Sequence, residues 1–174
     1  MTDEKQVRSF LETLTTESCV KLFQDYNVHV SENGSGAAGG ADGILYCGIV
    51  GFTADNFRGS LVLSATAEPL ARSNPVTGAG SQRDWTAELS NQLAGRVKNR
   101  MLPHKVDISI STPVVLRGEH IFMEASSCLR PLVFDAPGGV ITVWIDIELL
   151  DGFEMSFERD ETQAAVEEGE SLMF

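Results

Sequence analysis

Residues 84–101 read DWTAELSNQLAGRVKNRM, and the spacing of their apolar positions decides the fold class. Trp85, Leu89, Leu93, Val97 and Met101 recur at four-residue steps, the repeat of an amphipathic helix. Placed at 100° per residue with Glu88 at zero, they span roughly 60° to 220° of the wheel, which makes that side the buried face. Asp84, Glu88, Asn91 and Gly95 fall at roughly 300° to 360°, nearly opposite. This second stripe faces water or a partner. Asn91 is therefore no satisfied core amide. Gly95 relieves no crowded core either, although it costs about 1 kcal/mol relative to alanine within a helix.

The segments around this helix set its context. Residues 3–26 carry Val7, Phe10, Leu11, Leu14, Leu22 and Tyr26 at three- and four-residue steps, predicting an N-terminal helix with its stripe in the core. Runs rich in Val, Ile and Leu read as strands: NVHVSE (27–32), GILYCGIVGF (43–52), GSLVLSAT (59–66), VDISIST (106–112), PVVLRG (113–118), IFMEASSCL (121–129) and GVITVWIDIELL (139–150). APGG (136–139) has the composition of a hairpin turn. Strands joined by short turns, with helices at one end and in the middle, predict an α+β fold. A mainly antiparallel sheet would carry the N-terminal helix and the long central helix packed on it.

At 174 residues the chain has the size of one domain able to bury its own core. The expected boundaries are 1–157 for the domain and 158–174 for a tail, in which six acids stand against Arg159 alone. Cys19, Cys47 and Cys128 are widely spaced and odd in number, and His29, His104 and His120 form no short-spaced cluster. Buried free thiols and no metal site are expected. Gly34, Gly36 and Gly39 spell a GxGxxG, but a strand-like run follows where a nucleotide fingerprint needs a helix. A net charge of −12 argues against nucleic acid or an anionic lipid surface as partner. No apolar run reaches the ~20 residues of a membrane span, and MTDEKQVRSF lacks the basic and apolar regions of a secretory signal, so a cytoplasmic location is expected. Residues 83–105 are the locally positive part, with Arg83, Arg96, Lys98, Arg100 and Lys105 against Asp84 and Glu88. Their basic side chains suit either the negative end of the helix dipole or a docking surface, in which Arg96 and Lys98 would take part.

Asp84, Glu88, Asn91 and Ala94-Gly95, followed by Pro113 in DISISTPVVLRG, resemble the D/S-x3-E-x2-N…P signature of the CheX-like chemotaxis phosphatases, relatives of CheC and FliY. The likeness covers about residues 4–157 and is most specific over 84–117. Two features depart from the family's pattern: Arg96-Val97-Lys98, where members usually carry neutral residues, and longer loops at 33–43 and 73–82.

The resemblance implies a phosphatase acting on the aspartyl phosphate of a CheY-like response regulator. It places no cofactor on this chain, since Mg²⁺ and the phosphoryl group would sit on the regulator. Asn91 and Glu88 become the catalytic pair. Asn91 would hold the hydrolytic water, because an uncharged amide is not repelled by phosphoryl oxygens. Glu88 would pair with the regulator's active-site lysine. Gly95 would let the helix slide into the regulator's crevice. Asp84, counted with the docking residues, stands near the helix start, where a carboxylate can cap free N–H groups. Pro113 would shape a strand edge or crossing. Pairing of two copies through sheet edges is also implied. A non-catalytic adaptor, like the flagellar-switch relatives, is the main rival, though it has no need of the amide. A small-molecule-binding domain, the other rival, would require an apolar pocket away from the helix.

Overall fold

The computed structural model describes residues 3–33, 43–76, 81–121 and 130–158. Among these residues three α-helices lie on an antiparallel sheet. Helix α1 spans Glu4–Asp25, capped by Asp3, whose side chain accepts from the Lys5 N–H. Helix α2 is Ala67–Ser73 and helix α3 is Gln82–Met101, continued by a 3₁₀ turn at Leu102–His104. The strands are β1 (Ser31–Glu32), β2 (Ile44–Ala54), β3 (Phe57–Thr66), β4 (Ser109–Ile110), β5 (Val114–Glu119), β6 (Leu132–Ala136) and β7 (Gly139–Leu149). Their order is β1-β6-β7-β3-β2-β4, with β5 also paired to β2. The α+β expectation, with both predicted helices packed on a mainly antiparallel sheet, holds.

Alternation along the long strands makes the core. Val50 and Phe52 of β2, Leu61, Leu63 and Ala65 of β3, and Ile141, Val143, Ile145 and Ile147 of β7 are buried, each set two residues apart on one face. Helix α1 packs against α3 and β7, and α3 lies across β2, β3 and β5. The buried side of α3 comprises the five predicted residues together with Thr86, Ser90 and Ala94. These smaller residues let the helix come close to the sheet. A Cβ added at Gly48 of β2 would stand 2.0 Å from Ser90 Oγ and 3.2 Å from the Thr86 carbonyl oxygen. Gly48 is thus the seat on which α3 rests.

Several expected segments fold differently. In NVHVSE only Ser31–Glu32 pairs, with β6. The start of that run closes α1 instead: Asn27 has φ +58° and the Val28 N–H donates to the Phe23 carbonyl. In VDISIST only Ser109–Ile110 joins the sheet, while Val106 and Ile108 are buried in the core. Helix α2 and strand β6 were not expected. The APGG turn is present: Ala136 pairs with Gly139, and Gly138 takes φ +81° after Pro137, the backbone that a type II turn demands. Cys19 and Cys47 are free and buried, and burial pushes both thiols up from their ordinary pKa. Residues 122–129, most of the glycine-rich stretch (34–42) and the acidic tail from 159 onward lie outside the described residues. Among the described residues no helix is long and apolar enough to cross a membrane, and no group of three His, Cys, Asp or Glu side chains could hold a metal ion.

The seat of α3 gives a stability prediction. Gly48→Ala forces Ser90 and the α3 backbone away from β2, and should lower the unfolding free energy in urea by about 1–3 kcal/mol, the scale of overpacking. Unchanged stability would mean that the helix can lift without cost.

Candidate functional site

The site begins with how α3 starts. Its N-cap is Ser81, whose Oγ accepts from the Asp84 N–H at 3.1 Å. The capping role expected of Asp84 therefore passes to Ser81. Asp84 occupies the third helical position with its side chain 71% exposed, where a carboxylate favours the positive end of the helix dipole. Its Oδ1 accepts from Arg83 Nη1 at 3.5 Å, and the carboxylate faces solvent.

From there the exposed stripe runs as the wheel predicts. Glu88 and Asn91 are exposed, and Gly95 is partly exposed. A Cβ added at Gly95 would meet no atom within 4 Å. Among the described residues no packing accounts for the glycine, and the space beside the amide stays open. Asp84, Ala87, Glu88 and Asn91 form one wall of an open cleft of about 450 Å³; Ile110, Ser111, Thr112 and Pro113 form the other.

The second wall owes its position to an irregularity in the sheet. On β2, Phe52 pairs with Ile110 and Ile49 with Val114, so three steps along β2 face four along its partner. The extra residue is a bulge, which bends the strand and breaks it between β4 and β5. Ser111 anchors the bend: its N–H donates to the Gly51 carbonyl at 2.8 Å, and its Oγ accepts from the Gly51 N–H at 2.9 Å. Pro113, which has no N–H for the ladder, falls in the break, in keeping with the strand-edge role expected for it. The resemblance pointed to Pro113 but not to Ile110, Ser111 and Thr112, because the bulge depends on pairing with a strand about 60 residues earlier in the chain.

The basic residues of α3 behave differently from the docking expectation. Arg96 is only 17% exposed, and its Nη2 donates to Asp25 Oδ2 at 2.7 Å. It belongs to the α1–α3 contact, not to the exposed stripe. Arg100 bonds the Leu14 carbonyl, Ser18 Oγ and Glu17. Lys98 lies 4.0 Å from Asp107, and at roughly 280° on the wheel it alone of the three borders the stripe.

Two more residues reach the site. Gln92 Nε2 donates to Glu88 Oε1 at 2.7 Å, and Gln92 Oε1 accepts from the Tyr26 hydroxyl at 2.9 Å. The four-residue step from Glu88 to Gln92 is visible in the sequence; Tyr26, the C-cap of α1, is not.

A second depression, of about 540 Å³, crosses β4, β2, β3 and β7 over Gly51, Gly59 and Ser60. It is open to solvent, its lining is mostly apolar, and Arg58, Asp146 and Glu148 stand at its border.

No protein-family model matches the sequence, and no curated protein matches it. Solved structures do. CheX from Vibrio vulnificus superposes with a TM-score of 0.65 at 16% identity, over 78% of this chain and 95% of that one. A CheC-like superfamily protein from Shewanella sp. PV-4 gives 0.62 at 17% identity, over 79% and 97%. The CheX–CheY–BeF₃–Mg²⁺ complex from Borrelia burgdorferi gives 0.55 at 16% identity, over 78% and 96%. The fold is that of the CheX and CheC chemotaxis proteins.

The cap assignment is open to a direct check. Ser81→Ala should lower stability by about 1 kcal/mol, and Asp84→Ala by less, as followed by chemical denaturation. The reverse order would return the cap to Asp84.

Proposed function

We propose that this chain is a phosphatase of an aspartyl-phosphorylated, CheY-like response regulator in chemotaxis or two-component signalling. The observation that carries the reading is an exposed amide, Asn91, one turn from an exposed carboxylate, Glu88, on the side of α3 turned away from its core. The cleft beside them is open, and Gly95 leaves room that none of the described residues fills. A CheX bound to CheY, BeF₃ and Mg²⁺ is among the structures of the same fold.

The chemistry asked of the chain is small. The regulator carries the Mg²⁺ and the phosphoryl group. A water attacks phosphorus in line with the bond to the aspartyl oxygen, that bond breaks, and aspartate and inorganic phosphate result. Positioning and charge stabilisation govern such a transfer. The Asn91 carbonyl oxygen accepts a hydrogen bond from the water and orients it, and a neutral amide adds no charge against the phosphoryl oxygens. Glu88 pairs with the regulator's active-site lysine and sets the register of docking. Asp84 and Lys98 border the contact, and Gly95 admits the partner's backbone.

Two substitutions test this. Asn91→Ala should leave the fold and docking intact while lowering regulator dephosphorylation on the order of 10²-fold, the scale of lost positioning. Unchanged phosphate release would remove the amide from the mechanism and favour a non-catalytic adaptor. Gly95→Ala should raise stability by about 1 kcal/mol yet weaken regulator binding. A variant that is more stable and binds equally well would show that the open space is not used.

A further inference from the structure

Glu88 is not a free carboxylate on a helix surface, because a directed chain of groups reaches it from the core. Trp85 Nε1 donates to the buried Ser73 Oγ at 2.9 Å. The Tyr26 ring stands edge-on to Trp85, with centroids 4.9 Å apart and planes at 90°. The Tyr26 hydroxyl then bonds Gln92, and Gln92 bonds Glu88. The polarity of the last two bonds is forced. A carboxylate only accepts, so the amide nitrogen must face Glu88; the amide oxygen is then left to the tyrosine, which must donate. The inner end is also fixed in place, since Tyr26 caps α1 next to Asp25, the residue that Arg96 of α3 holds.

We propose that Tyr26 and Gln92 are positioning residues that hold Glu88 in its docking rotamer. The inference rests on the regulator-docking reading of Glu88 given above. A long carboxylate side chain that must be ordered on binding weakens affinity, and ordering it beforehand removes that cost. Among the described residues only Oε1 is engaged, which leaves Oε2 for an incoming ammonium group. The relay acts on recognition and not on the chemical step, because it touches Glu88 and not Asn91.

The experiment is a thermodynamic cycle. Tyr26→Phe keeps the ring against Trp85 and removes only the hydroxyl; Gln92→Met keeps the stem and helix propensity and removes the amide. Each is made in the native chain and in a Glu88→Ala background. Binding is measured to a BeF₃- and Mg²⁺-loaded CheY-like regulator from the same cell, and kcat is measured on the phosphorylated form. The expected result is a rise in Kd of about three- to tenfold for each single variant, the range for one lost hydrogen bond. The kcat should not change, and neither substitution should weaken binding further once Glu88 is gone. Equal losses in both backgrounds would reduce the relay to helix packing and overturn the proposal, as would unchanged affinity in the native background. If Glu88→Ala alone leaves Kd unaltered, the docking role of the carboxylate falls too, so the two failures can be told apart.

Discussion

The close approach of α3 to the sheet over Gly48 is the constraint from which the rest follows. With no side chain at Gly48, Ser90 and the Thr86 carbonyl sit directly above β2, and the rotation of the helix is fixed by which residues fit beneath it. Once Thr86, Ser90 and Ala94 face down beside Leu89, Leu93 and Val97, Glu88, Asn91 and Gly95 have no choice but to face out. The same contact sets the distance between the helix and the strand edge opposite. The bulge at Ser111–Pro113 then supplies a wall at a height that the amide and carboxylate can share. A register without the extra residue would carry β4 directly into β5, with no break beside the helix.

The parts of the fold that were legible in the sequence are those whose signal is local. The faces of α3 follow from the 3.6-residue period, and all five predicted core residues are buried. β2, β3 and β7 show as long runs of Val, Ile and Leu because each spans the core. The β6–β7 turn shows because Pro137-Gly138 fits few other conformations. What escaped depends on contacts distant in the chain. β6 is five residues long and is held by pairing with β7. Helix α2 spans only two turns and carries a proline, Pro69, in its first turn, where proline is tolerated. In 106–112 the apolar residues are buried as a strand's would be, but the backbone is laddered only at Ser109–Ile110.

The site was legible to a similar degree and for the same reason. Asn91, Glu88 and Gly95 are set by the helix period alone, and the structure places them on one open stripe. Asp84 lost its cap to Ser81 by a shift of three residues, a distance within which sequence signals for helix starts do not discriminate. Arg96 looked like part of a positive patch because charge counting ignores direction. At roughly 80° on the wheel it points toward α1 and finds Asp25 there. The neighbours that shape the site, Tyr26 on one side and Ile110–Thr112 on the other, come from elements that no local pattern connects to α3.

In the proposed function, a rigid α3 presents a water-holding amide and an aligned carboxylate to another protein's active site. The structure of this chain bound to its BeF₃- and Mg²⁺-loaded regulator tests that claim most directly. The account predicts α3 seated in the regulator's crevice, with the Asn91 amide in hydrogen-bond contact with a water in line with the beryllium–aspartate bond and Glu88 on the active-site lysine. A regulator bound elsewhere, at the β5 edge for instance, with Asn91 left facing bulk solvent, would contradict it.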